Sequence, residues 1–427
     1  MIAVREELDF YLAAFEELQK PDQPAWLRRL RRAAIDRFGE NGFPTAAHEE
    51  WKFTSVAPIA RTVFRRVEHP PALASLPFPD LGCPRLVFVN GHFSRALSRP
   101  PDGVTAVSLR EAISRAPVEE HLARYARGEH NAFTDLNTAL FTDGAFVEIP
   151  RDAVVSEPLE LLYVTAAEGE PVVTCPRTLI VAGRGCQARF IETHRSLGEG
   201  VHFTNAVTEI VAGENAVVEH YKLQQQNSRS FHVATVEGHQ DRASSLHLEN
   251  LSLGAALARN DTGSVLDAEG AECVLDGLYV ASAGQHVDHH TTLDHARPHC
   301  SSREVYKGVL DGRASAVFNG KIIVRKDAQK TDSKQTNKNL LLSEDATVNT
   351  KPQLEIYADD VKCTHGATIG QLGEEAIFYL RSRGIGREDA RSLLTYAFAS
   401  EMLGRISFEP LRSGLDALLR EWLRNGR

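Results

Sequence analysis

The chain has 427 residues and a formal net charge of -9. That length suits two or three structural units, and the acidic balance argues against a broad electrostatic footprint for nucleic acid or an anionic membrane. No run of about 18 apolar residues occurs, so no conventional membrane span is expected; six cysteines without a CxxC pair indicate reduced thiols, neither a disulfide framework nor a zinc ribbon.

The first residues, MIAVREELDFYLAAFEELQK, carry acidic side chains early and lack the basic and apolar segments of a signal peptide, so a cytoplasmic protein is expected. From Met1 to about His130 helical periodicity dominates. Leu27, Leu30, Ala34 and Phe38 form one stripe, with Arg28, Arg29, Arg31 and Arg32 largely around it, which reads as a solvated helix face. Within this unit, NGFPTAAHEEWKFT (Asn41–Thr54) joins a turn signal to Glu49-Glu50-Trp51. Adjacent carboxylates do not face one another on a helix or a strand, so this is a poor acid–base pair, and packing around Trp51 is the expectation.

From Asn131 to Leu372 the texture changes to short runs rich in Val, Ile, Phe and Tyr, punctuated by Gly, Asp and Asn. VAGRGCQARFIETH at Val181 is echoed by VAGENAVVEHYKL at Val211, with looser echoes at Leu266 and Val309. Strand–turn repeats that cannot bury a face alone stack into solenoids, so a β-helix is favoured over a sandwich or barrel. Its exposed strands would be open to pairing with a second chain.

Two stretches of this unit carry ligand-type side chains. HVDHHTTLDHARPHC (His286–Cys300) is rich in histidine, but strand alternation sets His286, Asp288 and His290 on one face and His289 and His295 on the other. His286, Asp288 and His290 would converge on a metal only if the strand bends; a polar rung packed on its neighbours is the alternative. In EIYADDVKCTHGATIG (Glu355–Gly370), Cys363 and His365 stand at i and i+2, on one strand face. Thiolate suits an iron–sulfur cluster, copper(I) or zinc and imidazole suits iron and zinc, but two ligands are too few for a closed site, so any others must come from elsewhere in the fold or from another subunit; a buried thiol beside a satisfied histidine is the alternative.

From Gly373 to Arg427 helical periodicity returns, with Ala390, Leu393, Leu394, Ala397 and Phe398 on one stripe and Leu415, Leu418, Leu419 and Trp422 on a second. These helices cap the solenoid or dock a partner.

The stretch from Asp311 to Ile385, together with HVDHHTTLDH and GFPTAAHEEWKFT, closely resembles the SufB/SufD family of the SUF iron–sulfur cluster assembly system. The Cys-Thr-His-Gly form of residues 363–366 resembles the SufD-type branch; SufB-type chains have a Glu-His-Glu-Ala-Thr segment there. The resemblance implies a right-handed parallel β-helix flanked by N-terminal (1–130) and C-terminal (373–427) α-helical domains around a 131–372 core. It also implies a non-enzymatic subunit that pairs with a SufB-type paralogue through the solenoid. Its C-terminal helices would hold a SufC-type ATPase, with Tyr379, Arg381 and Arg383 as docking candidates. The cluster site would lie at the subunit interface, with His365 and, beside it, Cys363. No cofactor would be permanently bound; iron or an iron–sulfur cluster would be held transiently, and a homodimer is conceivable without the partner. The chain has no GxxxxGK[ST] phosphate loop, so ATP hydrolysis would belong to a partner. The competing functions are a polysaccharide-active β-helix enzyme, which would need export, and a stand-alone zinc-binding solenoid using His286–Cys300.

Overall fold

In the computed structural model, which describes residues 2–19, 23–128 and 131–425, the chain winds as a parallel β-solenoid of about eight turns. Successive strands alternate between two sheets. One sheet runs from Leu159–Ala166 through Gln187–Leu197 and Val217–Gln225 to Asp332–Leu341 and Lys362–Gly370; the other runs from Arg177–Ala182 through His202–Ala212 to Ser315–Val324 and Thr347–Ile356. The repeat expected from sequence is the solenoid turn itself: Val181 pairs with Val211, and Gln187 with Val217.

One corner shows how unremarkable sequences are bent into this shape. Gly185, Asn215, Ala243, Gly270, His299 and Lys330 all have positive φ, and each stands two residues before a strand of the first sheet. Four of the six are not glycine, and the left-handed region costs an L-residue about 1–2 kcal/mol. The offset comes from the neighbouring turn: each of these N–H groups donates to a corner carbonyl one turn on, as Asn215 does to Arg242 and His299 to Gln329, both at 2.9 Å. The corner is thus a ladder of its own.

Side chains facing inward form a continuous apolar core from Leu86 to Ala358, interrupted by buried polar groups such as Glu192, His194, Lys222 and Glu304. The inward and outward faces follow strand alternation.

Helices cover the outside. Ile2–Leu18, Ala25–Asn41 and Ala132–Leu140 share a core with Trp51 and Phe64 and with Phe203 and Val233 of the second sheet. Three strands within the first 130 residues also join the sheets: Arg85–Val89 pairs in parallel with Leu159–Ala166, His92–Phe93 pairs with Arg85–Val89, and Thr105–Ser108 pairs with Ala145–Ile149. The segment expected to be mostly helical therefore contributes to the solenoid, because a run as short and apolar as RLVFV shows no period by which to recognise it. Conversely, the helix Ala132–Leu140 lies inside the span expected to be strand. It is capped by Asn131, whose Oδ1 accepts the Phe133 and Thr134 amides at 3.0 and 3.3 Å.

The arginine run departs from a solvated face at one position. Arg31 falls on the buried stripe with Leu27, Ala34 and Phe38; its Nη2 donates to the Phe141 carbonyl at 2.7 Å and its guanidinium lies 4.4 Å from the Phe141 ring centroid. At the other end, Arg387–Leu403 and Glu409–Asn425 pack on the outer face of the first sheet, against Tyr221, Leu251, Leu278 and Val309. On the second helix Leu415 and Leu419 are buried as expected, and on the first Ala390 is, but there the seam runs on through Ala399, Met402 and Leu403 while Leu393 is 48 % exposed. Two cations fix the contact. Lys307 Nζ donates to Glu401 Oε2 at 2.5 Å, and Arg405 Nη1 to Asp276 Oδ1 at 2.7 Å. Among the described residues no helix is long and apolar enough to cross a membrane.

Candidate functional site

Both sheets end on one turn. Lys362–Gly370 is the last strand of the first sheet and Thr347–Ile356 the last of the second, so each has one edge without a strand partner among the described residues. Exposure confirms the open end: from Thr364 to Gly370 every residue is exposed, whereas the equivalent inward positions one turn earlier, Ser333, Gln335, Asn337 and Asn339, are buried. An edge of unpaired backbone donors and acceptors is a template for another chain. Apolar side chains surround it, with Ile356 40 %, Tyr357 63 % and Ile369 49 % exposed.

Cys363 and His365 stand together here, in register with Ser333 and Gln335 on the preceding strand. Cys363 packs partly against the inner core, and burial pushes its thiol pKa up, so in the isolated chain the sulfur is a thiol at neutral pH. His365 is exposed. Its ring and the sulfur face the same way on the uncovered turn, an arrangement that offers two ligands from one side and leaves the opposite side of any metal open to a second chain.

The other candidate stretch is built differently. His286, Asp288 and His290 face outward on the strand His286–His295 and receive the segment Glu49–Thr54. Thr54 Oγ1 donates to Asp288 Oδ2 at 2.5 Å and lies 2.8 Å from His286 Nε2, and His286 Nδ1 is 2.7 Å from Ser315 Oγ. Arg259 Nη1 donates to Asp288 Oδ2 at 2.9 Å and to the Glu50 carbonyl at 2.6 Å, with its guanidinium 3.7 Å from the Trp51 ring centroid. His290 lies between two carboxylates, Asp288 Oδ1 at 3.1 Å and Glu50 Oε2 at 3.2 Å. Burial alone would lower the imidazole's pKa, but the two carboxylates outweigh it and push it up to about 9. A histidine protonated at neutral pH offers a metal no lone pair there. The stretch works as a latch holding the N-terminal segment to the solenoid, and among the described residues no three His, Cys, Asp or Glu side chains are grouped to hold a metal ion. The packing expected around Trp51 is part of this latch. The latch partners Arg259 and Asp288 are more than 200 residues away from the segment they hold, which no local pattern reveals.

The three docking candidates lie just past the open turn. Tyr379 is 57 % exposed on the helix Glu374–Arg381, and the Arg383 guanidinium stacks 3.6 Å from its ring centroid. Arg381 is exposed at the helix end. Phe378, which the sequence did not single out, is 71 % exposed beside Tyr379.

Comparison with known proteins decides the family. Residues 163–398 match the SufBD core domain of SUF-system iron–sulfur cluster assembly, and residues 5–161 match the SufBD protein N-terminal region. The chain belongs to the SufBD family. The SufBD chain is 35 % identical to an iron–sulfur cluster assembly SufBD family protein of Synechocystis, over 96 % of this chain and 94 % of the relative. It is 34 % identical to the iron–sulfur cluster assembly protein SufD of Escherichia coli over 90 % of each, and 24 % identical to SufD of Bacillus subtilis over 96 % of each. As a member of this family it is a subunit of SUF iron–sulfur cluster assembly.

Proposed function

We propose that the chain is the SufD-type, non-enzymatic subunit of an assembly complex, pairing through its open solenoid turn with a SufB-type homologue. The observation that carries this is the pair of sheet edges at one end that have no strand partner among the described residues, ringed by Ile356, Tyr357 and Ile369. A second solenoid meeting that end supplies backbone partners for the edges and covers the apolar rim. His365 and Cys363 then lie at the seam, where iron or a nascent cluster is cargo held for a time between ligands from both chains. In the absence of the homologue, the same edges serve a second copy.

The exposed Phe378, Tyr379 and Arg383 form the surface offered to a SufC-type ATPase, together with Arg381. The helix that carries Phe378, Tyr379 and Arg381 follows the last strand after three residues. A pull on it is therefore transmitted directly to the turn that bears His365. Nucleotide binding shifts the assembly only if the nucleotide prefers one arrangement of the seam over the other.

The test is co-expression with SufB-type and SufC-type partners, followed by size-exclusion chromatography and iron and sulfide analysis of wild type beside His365→Ala. The expected result is an intact complex whose iron content falls in the variant. Absence of a complex, or iron and sulfide indifferent to His365, overturns the assignment.

A further inference from the structure

We infer that Gln335 is a positioning residue for His365, accepting a hydrogen bond from its imidazole and so selecting which ring nitrogen is left for iron. The inference rests on the reading of His365 as an interfacial ligand and extends it one turn into the solenoid.

Three observations converge on the Gln335 amide. Gln335 is the register partner of His365 on the adjacent parallel strand, both inward-facing and about 4.8 Å apart along the solenoid. The amide is held from the other side: Gln335 Nε2 donates to Glu304 Oε2 at 2.8 Å, and Thr291 Oγ1 donates to Glu304 Oε1 at 2.5 Å. Glu304 is the register partner of Gln335 one turn further in, so the three residues form a column from the solenoid interior to its open end. Room for the amide is built into the opposite sheet, where a Cβ at Gly320 would lie 2.1 Å from Gln335 Nε2.

The geometry leaves one group unused. A planar amide with its nitrogen turned toward Glu304 directs its oxygen away from that turn, and Gln335 Oε1 is buried without a hydrogen-bond partner among the described residues. An unmade bond at a buried acceptor disfavours the state that leaves it unmade. The donor the fold provides next along the column is the N–H of His365, exposed while the end is open and pressed toward Gln335 once a second chain covers it. A histidine whose one nitrogen donates to a fixed acceptor presents the other, unprotonated, to a metal.

The test uses the full complex prepared without oxygen and titrated with Fe(II) alone, with ¹⁵N-histidine spectra reporting the tautomer at His365. Gln335→Met keeps the shape and removes the acceptor; Thr291→Val removes the other bond to Glu304 and leaves Gln335 in place. Gln335→Met is expected to raise the Fe(II) concentration for half-occupancy about 10–100-fold and to mix the His365 tautomers, while Thr291→Val changes neither. Unchanged iron binding and ring shifts in Gln335→Met, with His365→Ala still weakening iron, overturn the inference alone. If His365→Ala leaves iron unchanged, it is the parent assignment that falls. Should Gln335→Met not fold, the wild-type complex still decides: a single His365 tautomer is expected there, and a mixture of the two also overturns the inference.

Discussion

The latch at His290 makes a quantitative prediction about stability. With a pKa near 9 in the folded chain against an ordinary 6.5, the folded state binds this proton more tightly than the unfolded state. A raised histidine pKa stabilises fully below the unfolded value and loses that contribution as pH rises through the folded one. The shift corresponds to about 3 kcal/mol at pH 6, about 2 kcal/mol at pH 7.5 and less than about 0.5 kcal/mol at pH 9. His290→Gln, which keeps a polar side chain but has no proton to lose, should lack this dependence. Wild type alone is a poor readout, because other buried groups titrate in the same range. Desolvation raises Glu237 to about 8 and Glu304 to about 7, and a carboxyl raised in this way also erodes stability as pH climbs toward its folded value. The difference between wild type and variant cancels those contributions. Urea unfolding of both proteins at pH 6, 7.5 and 9 should show an advantage of wild type that shrinks by about 3 kcal/mol across the series. A difference that stays flat across this range would falsify the assignment of His290 as a charged clamp between Asp288 and Glu50.

Arg259→Met should cost about 3–5 kcal/mol, since it leaves Asp261 without its cation and the buried Asp288 with His290 alone; urea titration at pH 7 measures it, and a loss below about 1 kcal/mol would show the pair to be dispensable. Ile369→Arg puts a charge on the rim of the open end and is expected to abolish co-purification with the SufB-type homologue while leaving the circular dichroism of the chain unchanged; retained pairing would move the interface elsewhere. Cys363, held as a thiol by burial, should alkylate with iodoacetamide more slowly at pH 7.5 than a free thiol does, a rate that mass spectrometry of the modified peptide measures; a rate equal to or above the free thiol's would mean that burial does not suppress the thiolate.

The solenoid was legible because its turns repeat in register: an echo 30 residues apart in the sequence is the pairing of Val181 with Val211, and strand alternation sorts His286, Asp288 and His290 from His289 and His295 without knowledge of the fold. What the alternation cannot supply is the identity of whatever covers the outer face. Thr54 meets Asp288 across 234 positions, and Arg31 meets the Phe141 carbonyl across 110; in both cases the local pattern is that of a polar surface, and the partner that buries it lies elsewhere in the chain. The same limit explains Leu393. Helical periodicity grouped it with Leu394 and Ala397, whereas the sheet against which the helix lies selects Ala399, Met402 and Leu403. At the open end the sequence identified Cys363 and His365 as neighbours, but not that their turn is the last, which depends on where strand pairing stops.

The latch also sets an order of events in synthesis. Glu49 accepts from Lys351 Nζ at 2.6 Å, a contact spanning 302 positions. A ribosome adding about 5–20 residues per second has made the Glu49–Thr54 segment roughly 15–60 s before the strand that receives its far end emerges. The early helices must wait beside a growing solenoid, and Trp51 stays unclamped until Arg259 has been translated. Docking of the N-terminal segment is therefore completed late, after nearly every turn has been laid down.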